Sequence, residues 1–365
     1  MNKVAKGPLS GLKVVEFSGL GPAPFACMLL SDMGADVVTI ERPGYVSGGP
    51  EDVVGRGRKV VIGDLKNADS LKKILELIDG ADVLVEGFRP GVMERLGLGP
   101  QELANRNPRL IYGRMTGWGQ DGPLALQAGH DANYISISGA LHAIGHEGAP
   151  VLPLNLVGDY GGGSMYLIVG ILAALFERKA SGKGQVIDAA ITDGSISLMS
   201  HFFGSIAKGN YSEKRSSNML DGGLPYYTVY ETSDGKHVSV GPLEPKFFNE
   251  FAKKLGLKES LIQAHLKKEL WPELRNELTT IFKSKTRDDW ARFFEGSDAC
   301  VAPILSISEA DQHEHNQYRQ SIVQIDGVKQ PAPAPRFSRT PSVIQKSYLH
   351  TETEFEELIK QWQAK

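Results

Sequence analysis

The sequence predicts an α/β protein, with a larger doubly wound parallel sheet covered by helices on both faces and a smaller α+β domain after it. Three observations carry that expectation. Short apolar runs alternate with helix-like stretches over residues 13–114, and the texture changes to a hairpin pattern at Tyr226. In addition, 365 residues at 41% hydrophobic content are too many for one small core.

Residues 13–17 are an apolar run, Ser18-Gly19-Leu20-Gly21-Pro22 a turn, 23–33 a helix and 36–40 a second apolar run, which together make one βαβ unit. The pattern recurs with strands at 60–62, 82–85 and 110–114 and a helix at 71–78. Parallel strands need such crossovers, and the crossover helices then cover the sheet. The apolar stretch 165–176 reads as a buried helix, short of the roughly 20 residues that cross a bilayer. Residues 226–230 and 237–240, separated by Ser233-Asp234-Gly235, read as a hairpin that opens the second domain. Helices are expected at 247–255, 271–282 and, amphipathic, at 353–363, with 331–335 (Pro-Ala-Pro-Ala-Pro) as a stiff extended link. The large domain is placed at 1–200, completed by 330–365, and the small domain at 225–325.

A formal charge of -3 supplies no basic field to concentrate a phosphate backbone, so nucleic acid is not expected as a partner. Cys27 and Cys300, the two cysteines, stand far apart with no Cys or His at ligand spacing, which suggests neither a disulfide framework nor a metal site and suits a reducing interior. No apolar stretch precedes the first strand, so no secretory signal is read. Gln363-Ala364-Lys365 does not match the peroxisomal address Ser-Lys-Leu. The expectation is a soluble, cytoplasmic protein with no membrane partner. The first loop lacks the full G-x-G-x-x-G pattern and gives a dinucleotide site only weak support.

Three features could carry chemistry. Gly129-His130-Asp131-Ala132-Asn133-Tyr134 gathers hydrogen-bonding side chains behind a glycine, although a lone histidine is also a common structural residue. In Asn155-Leu156-Val157-Gly158-Asp159-Tyr160-Gly161-Gly162-Gly163-Ser164 a carboxylate stands beside a glycine-rich helix start. Asp159 could be a helix N-cap there, but consecutive glycines also let a ligand approach the backbone and leave helix N–H groups free for an anion. Glu244, held between Pro242 and Pro245 just after a strand, is either a placed carboxylate or an exposed turn residue.

These residues resemble the alpha-methylacyl-CoA racemases, a branch of the family III CoA-transferase (CaiB/BaiF-like) superfamily. The likeness runs from Leu9 to about Pro341. Superfamily signatures are Gly11-Leu12-Lys13-Val14-Val15-Glu16-Phe17, the stretch 36–44 and Glu86-Gly87-Phe88-Arg89-Pro90-Gly91-Val92. The racemase-specific pieces are the 129–134 and 158–163 motifs, Asn218-Met219-Leu220-Asp221-Gly222-Gly223-Leu224-Pro225 and Glu244-Pro245. Ala132 departs from the isoleucine more frequent there, which loosens packing around the acyl chain.

The resemblance implies a Rossmann-like large domain and an interlocked dimer whose active site forms between the large domain of one subunit and the small domain of the other. It implies that His130 and Asp159 are the paired acid and base, with Glu244 holding the histidine tautomer. Arg42, Ile62, Gly63, Asp64, Leu65, Arg89, Ala128, Gly129, Asp131, Ala132 and Asn133 would line the coenzyme A site. No cofactor is implied beyond the coenzyme A carried by the 2-methylacyl-CoA substrate. The cluster Arg56-Gly57-Arg58-Lys59 is either a further grip on the phosphates or a solvated basic loop.

A proton next to a thioester is too weakly acidic to leave unaided, so the site must supply a base and stabilise an enolate. Inversion without a cofactor needs one group on each face of the carbon. An aspartate, ordinarily near 3.9, must be buried to act as the acid, so a dry pocket is expected. The alternative is a family III CoA-transferase with Asp159 as nucleophile. A coenzyme A-binding protein without catalysis is the rival outside enzymes, and an intact acid–base set speaks against it.

Overall fold

The computed structural model describes residues 7–45, 48–345 and 354–363. The other residues of the expected large domain, among them Thr353 at the head of the expected C-terminal helix, lie outside it. The chain divides into two compact units. One takes the chain up to Ala140, Pro153–Ser200 and Glu314 onward, and the other takes Leu141–Leu152 and His201–His313.

In the first unit six strands form one sheet in the order β3-β2-β1-β4-β5-β6. They are β1 (Lys13–Phe17), β2 (Asp36–Glu41), β3 (Arg58–Ile62), β4 (Val83–Glu86), β5 (Ile111–Thr116) and β6 (Val186–Ala190). Every pairing is parallel. The first two strands are near-continuous apolar runs because both faces are covered. Val14, Val37, Val83 and Ile111 pack on one face with helix α1 (Pro22–Asp32) and the helix Met165–Ser181. Val15, Val38 and Leu84 pack on the other with α2 (Ala68–Asp79) and Phe355, Leu358 and Trp362 of the terminal helix Phe355–Gln363. Neighbours such as Val14 and Val15 take opposite faces, as the pleat demands.

Strand β6 was not expected, since its sequence Val-Ile-Asp-Ala-Ala carries no apolar run and it lies at the sheet edge. The apolar helix also runs longer than expected. It is continuous over Leu156–Ser181, 26 residues, long and apolar enough by length and composition to cross a membrane. Here its Leu167, Ile168, Ile171 and Ala174 are buried in the sheet core. Pro331 ends an antiparallel hairpin (Ile322–Ile325 with Val328–Pro331) instead of opening a link.

The second unit has an antiparallel sheet of β7 (Thr228–Glu231), β8 (His237–Val240) and β9 (Val301–Pro303). Phe248, Phe251, Phe282, Trp290 and Phe294 from the helices Pro245–Leu255, Trp271–Phe282 and Arg287–Phe294 form its aromatic core.

Candidate active site

The sheet order reverses direction between β1 and β4, and in such sheets ligands bind in the crevice beyond the carboxyl ends of the strands at that point. A cavity of about 330 Å³ lies there, lined by Phe17, Ile40, Arg42, Gly63, Leu65 and Phe88 among others. It brings three of the expected coenzyme A residues together. The Arg42 side chain is held 5.6 Å over the Tyr45 ring and is exposed, leaving its charge available to an anion. Ile62 ends β3. Asp64 shapes the turn into α2, its carboxylate accepting from Lys66 N–H at 2.9 Å while its own N–H donates to Ser70 Oγ at 2.8 Å.

Asp159 lies close by. The loop after β1 turns at Gly21, whose φ of 73° opens α1 at Pro22. A Cβ on Gly21 would stand 3.0 Å from Asp159 Oδ2, so this glycine is what lets the carboxylate approach the end of β1.

Asp159 itself sits inside a π-helical stretch, Leu156–Ser164, where Tyr160 N–H reaches Asn155 O at 3.2 Å. The glycines explain why this wide turn forms. A Cβ on Gly158 would overlap the Asp131 carboxylate, one on Gly162 would stand 2.5 Å from Ser195 Oγ, and one on Gly163 would meet Pro22 at 3.2 Å. The segment thus packs backbone to backbone against the helix Ile191–Leu198. Two expectations are corrected here. Asp159 is not an N-cap, since Asn155 holds that position, and the glycines lie within a continuing helix rather than offering a free helix start to an anion. Wide π turns of this kind recur at functional sites because they re-aim a side chain.

The Asp159 backbone is held at both ends, its N–H donating to Asp131 Oδ1 at 2.6 Å and its carbonyl accepting from Ser164 Oγ at 3.1 Å. The next residue, Tyr160, stacks on Phe25 at 4.0 Å between ring centroids. Burial pushes the Asp159 carboxyl up to about 6, the Asp131 carboxylate adds to that shift, and His130 opposes it. This is the partly dry setting that an aspartic acid needs to donate a proton near neutrality.

His130 is exposed and stands at the N-cap of the helix Asp131–Ile137, its N–H donating to Asn133 Oδ1 at 3.0 Å. His130, Asp131, Asn133 and Asp159 therefore form one cluster. Arg89, exposed, acts electrostatically on Tyr134 of the same helix. Gly129 packs on Tyr134 and Trp118, Ala132 is half-buried and Ala128 exposed. Glu244 lies in the second unit, exposed at the N-cap of Pro245–Leu255, where its charge adds to burial in raising the Cys300 thiol.

The phosphate grip considered for residues 56–59 is contradicted. Arg56 is buried and paired with Asp32 at 2.5 Å, and also donates to Gln330 Oε1 and Pro331 O. Arg58 is buried against Glu16 at 3.0 Å, and Lys59 pairs with Asp36 at 2.8 Å. These cations are consumed by the fold, because a buried guanidinium without a partner is too costly to keep.

Sequence reasoning gave no role to Gly21, Ser164 or Tyr134, and it did not foresee that the Asp131 carboxylate holds the Asp159 N–H. The one available signal was Gly158, whose missing Cβ makes room for that carboxylate.

The profile of CoA-transferase family III matches residues 9–348. The chain is similar to alpha-methylacyl-CoA racemase of Mus musculus, 43% identical over 92% of this chain and 88% of the mouse protein. It is similar to alpha-methylacyl-CoA racemase of Homo sapiens at 42% over the same shares. In three dimensions it resembles a CaiB/BaiF family protein from Brucella suis with a TM-score of 0.79, at 24% identity over 98% of this chain and 100% of that one.

Proposed function

We propose that this chain, which belongs to CoA-transferase family III, is a racemase that inverts the 2-methyl centre of 2-methylacyl-CoA thioesters. The observation that carries this reading is the joining of Asp159 to the helix start at His130, its N–H donating at 2.6 Å to Oδ1 of Asp131, directly after the histidine, in a setting whose burial pushes the Asp159 carboxyl up to about 6. One group removes the α-proton and the electron pair moves onto the thioester oxygen as an enolate. The other group returns a proton to the opposite face, restoring the C–H bond with inverted configuration. Either order runs with the same two residues, so each hand of substrate uses one as base and the other as acid. The raised Asp159 suits both tasks near neutrality. A nucleophilic carboxylate would have no use for a second proton-transfer group in the cluster, which His130 supplies.

Coenzyme A would lie over the carboxyl ends of β1–β4, its phosphates against Arg42 and Arg89, so that binding energy remote from the reacting carbon holds the acyl group in place. The homodimer belongs to the same reading, with Glu244 of the partner subunit reaching His130. Met165, Val169, Leu172 and Phe176 support it, exposed at helical spacing along one helix, with Phe176 77% exposed.

The test is proton NMR of (2R)- and (2S)-2-methylacyl-CoA incubated separately with the protein in deuterated water. Each hand is expected to become a mixture with deuterium at the α-carbon, and His130→Ala and Asp159→Ala to stop the interconversion of the two hands. Transfer of coenzyme A to an added carboxylic acid with no α-exchange would replace this reading with the transferase.

A further inference from the structure

Resting on the racemase reading, we infer that Tyr134 is a positioning residue for His130, clamping its backbone so that the imidazole alone, and not Asp159, depends on the tyrosine hydroxyl. The Tyr134 hydroxyl donates to the carbonyl of Gly129, the residue just before His130. One turn of the helix Asp131–Ile137 separates the two, and the backbone N–H groups of Asn133 and Tyr134 both point at His130 O, at 2.8 and 3.2 Å. Asn133 Oδ1 takes the His130 N–H. The histidine backbone is thus held through its N–H, its carbonyl and the carbonyl before it, although the residue is exposed.

The tyrosine can act as a clamp because its ring has no freedom of its own. A Cβ on Gly117 would overlap it, and one on Gly129 would stand 2.7 Å from its edge. Trp118 meets it edge-on at 4.7 Å. Gly117 is in turn tied to the start of the helix Ile191–Leu198, its carbonyl accepting from the Thr192 N–H at 3.1 Å and Thr192 Oγ at 2.9 Å. That same helix packs under the π turn that carries Asp159. Tyr134 therefore leans on the frame that positions Asp159, but what it holds is His130. Burial, with the Asp159 charge adding and Arg89 opposing, keeps the phenol protonated and so a donor.

Asp159 has its own supports in Asp131 and Ser164, which yields a specific expectation for Tyr134→Phe in the full chain. A displaced imidazole should slow racemisation by about 10- to 100-fold in both directions, since each direction needs both groups. The KM for the thioester should change by less than about twofold, because Arg42 and Arg89, the side chains proposed to hold the coenzyme A phosphates, are left intact. In deuterated water, α-exchange should fall for the hand whose proton His130 removes and persist with retention for the hand whose proton Asp159 removes.

Histidine side-chain NMR on labelled protein gives a second readout, with the His130 signal identified by its loss in His130→Ala. That signal should shift in Tyr134→Phe and in Asn133→Ala, while those of the other histidines stay in place. A His130 signal unmoved in both variants overturns the inference, as does an equal loss of exchange from both hands with a raised KM. If the unaltered protein exchanges neither hand, the racemase reading falls instead, and the clamp is judged on the His130 signal alone.

Discussion

In the stretch 56–59, Arg56 lies against Asp32 and Arg58 against Glu16, whereas in the stretch 129–134 Asp131 lies beside a second aspartate, Asp159. In the sequence the first was open as a phosphate grip or a solvated basic loop, and the second as a chemical motif or a structural histidine. In the first, each cation meets an anion and two of the pairs are buried, so the charge is spent on holding β3 and the terminal hairpin to α1 and β1. In the second, burial and then the neighbouring Asp131 charge push the Asp159 carboxyl up, and the outcome is a proton poised to move. Charge that the fold neutralises is structural, and charge that the fold leaves frustrated is free for chemistry.

The strongest way to break this contrast is Asp159→Asn. Racemisation should fall by about a thousandfold or more, because one of the two proton-transfer groups is gone. Stability should move the other way. A carboxyl raised from 3.8 to about 6 on folding favours the fold fully below pH ~4 and loses that contribution as pH rises through ~6. The variant should therefore be more stable by about 1 kcal/mol at pH 8, after discounting for partial exposure, and no more stable at pH 4. Thermal unfolding at the two pH values checks this.

Arg56→Met tests the opposite side of the comparison. It leaves Asp32 buried without its cation and should cost about 3–5 kcal/mol in urea unfolding, with little change in KM for the folded enzyme. Arg42→Ala should do the reverse, raising KM by about tenfold with the melting temperature unmoved.

The smallest effect is expected from Asp131→Asn, which can still accept the Asp159 N–H but no longer presents a like charge. The Asp159 carboxyl should then ionise at lower pH. In the unaltered enzyme, kcat/KM should rise through pH ~6 for both hands alike, because the two directions are tied by one equilibrium constant and each needs the Asp159–His130 pair to have lost one of its two protons. This acid limb should move to lower pH in the variant for both hands, and a limb that stays in place would remove Asp131 from the cluster's electrostatics.

Much of the large unit was legible because its inner strands are written as apolar runs. Lys13–Phe17 was read at its true limits, and Asp36–Glu41 to within one residue. Val186–Ala190 was not, because an edge strand with one exposed face needs no apolar run and takes its shape from the register with β5. His130 and Asp159 were legible as residue types in a pattern, yet their surroundings were not. The role of Asp131 depends on a contact 28 positions along the chain, and the loss of Arg56 and Arg58 as ligand groups depends on Asp32 and Glu16.

The sequence alone determined the inner strands of the large unit, the family signatures and the residue types able to move a proton, since local periodicity and short motifs are carried by neighbours in the chain. Only the tertiary structure decided the π turn around Asp159, the pairing of its backbone with Asp131 and the shift of its carboxyl to about 6. A wide helical turn is settled by what packs against it, here Gly194 under Gly162. A pKa is settled by which charges and how much solvent surround the group, and both are properties of chain segments that meet only after folding.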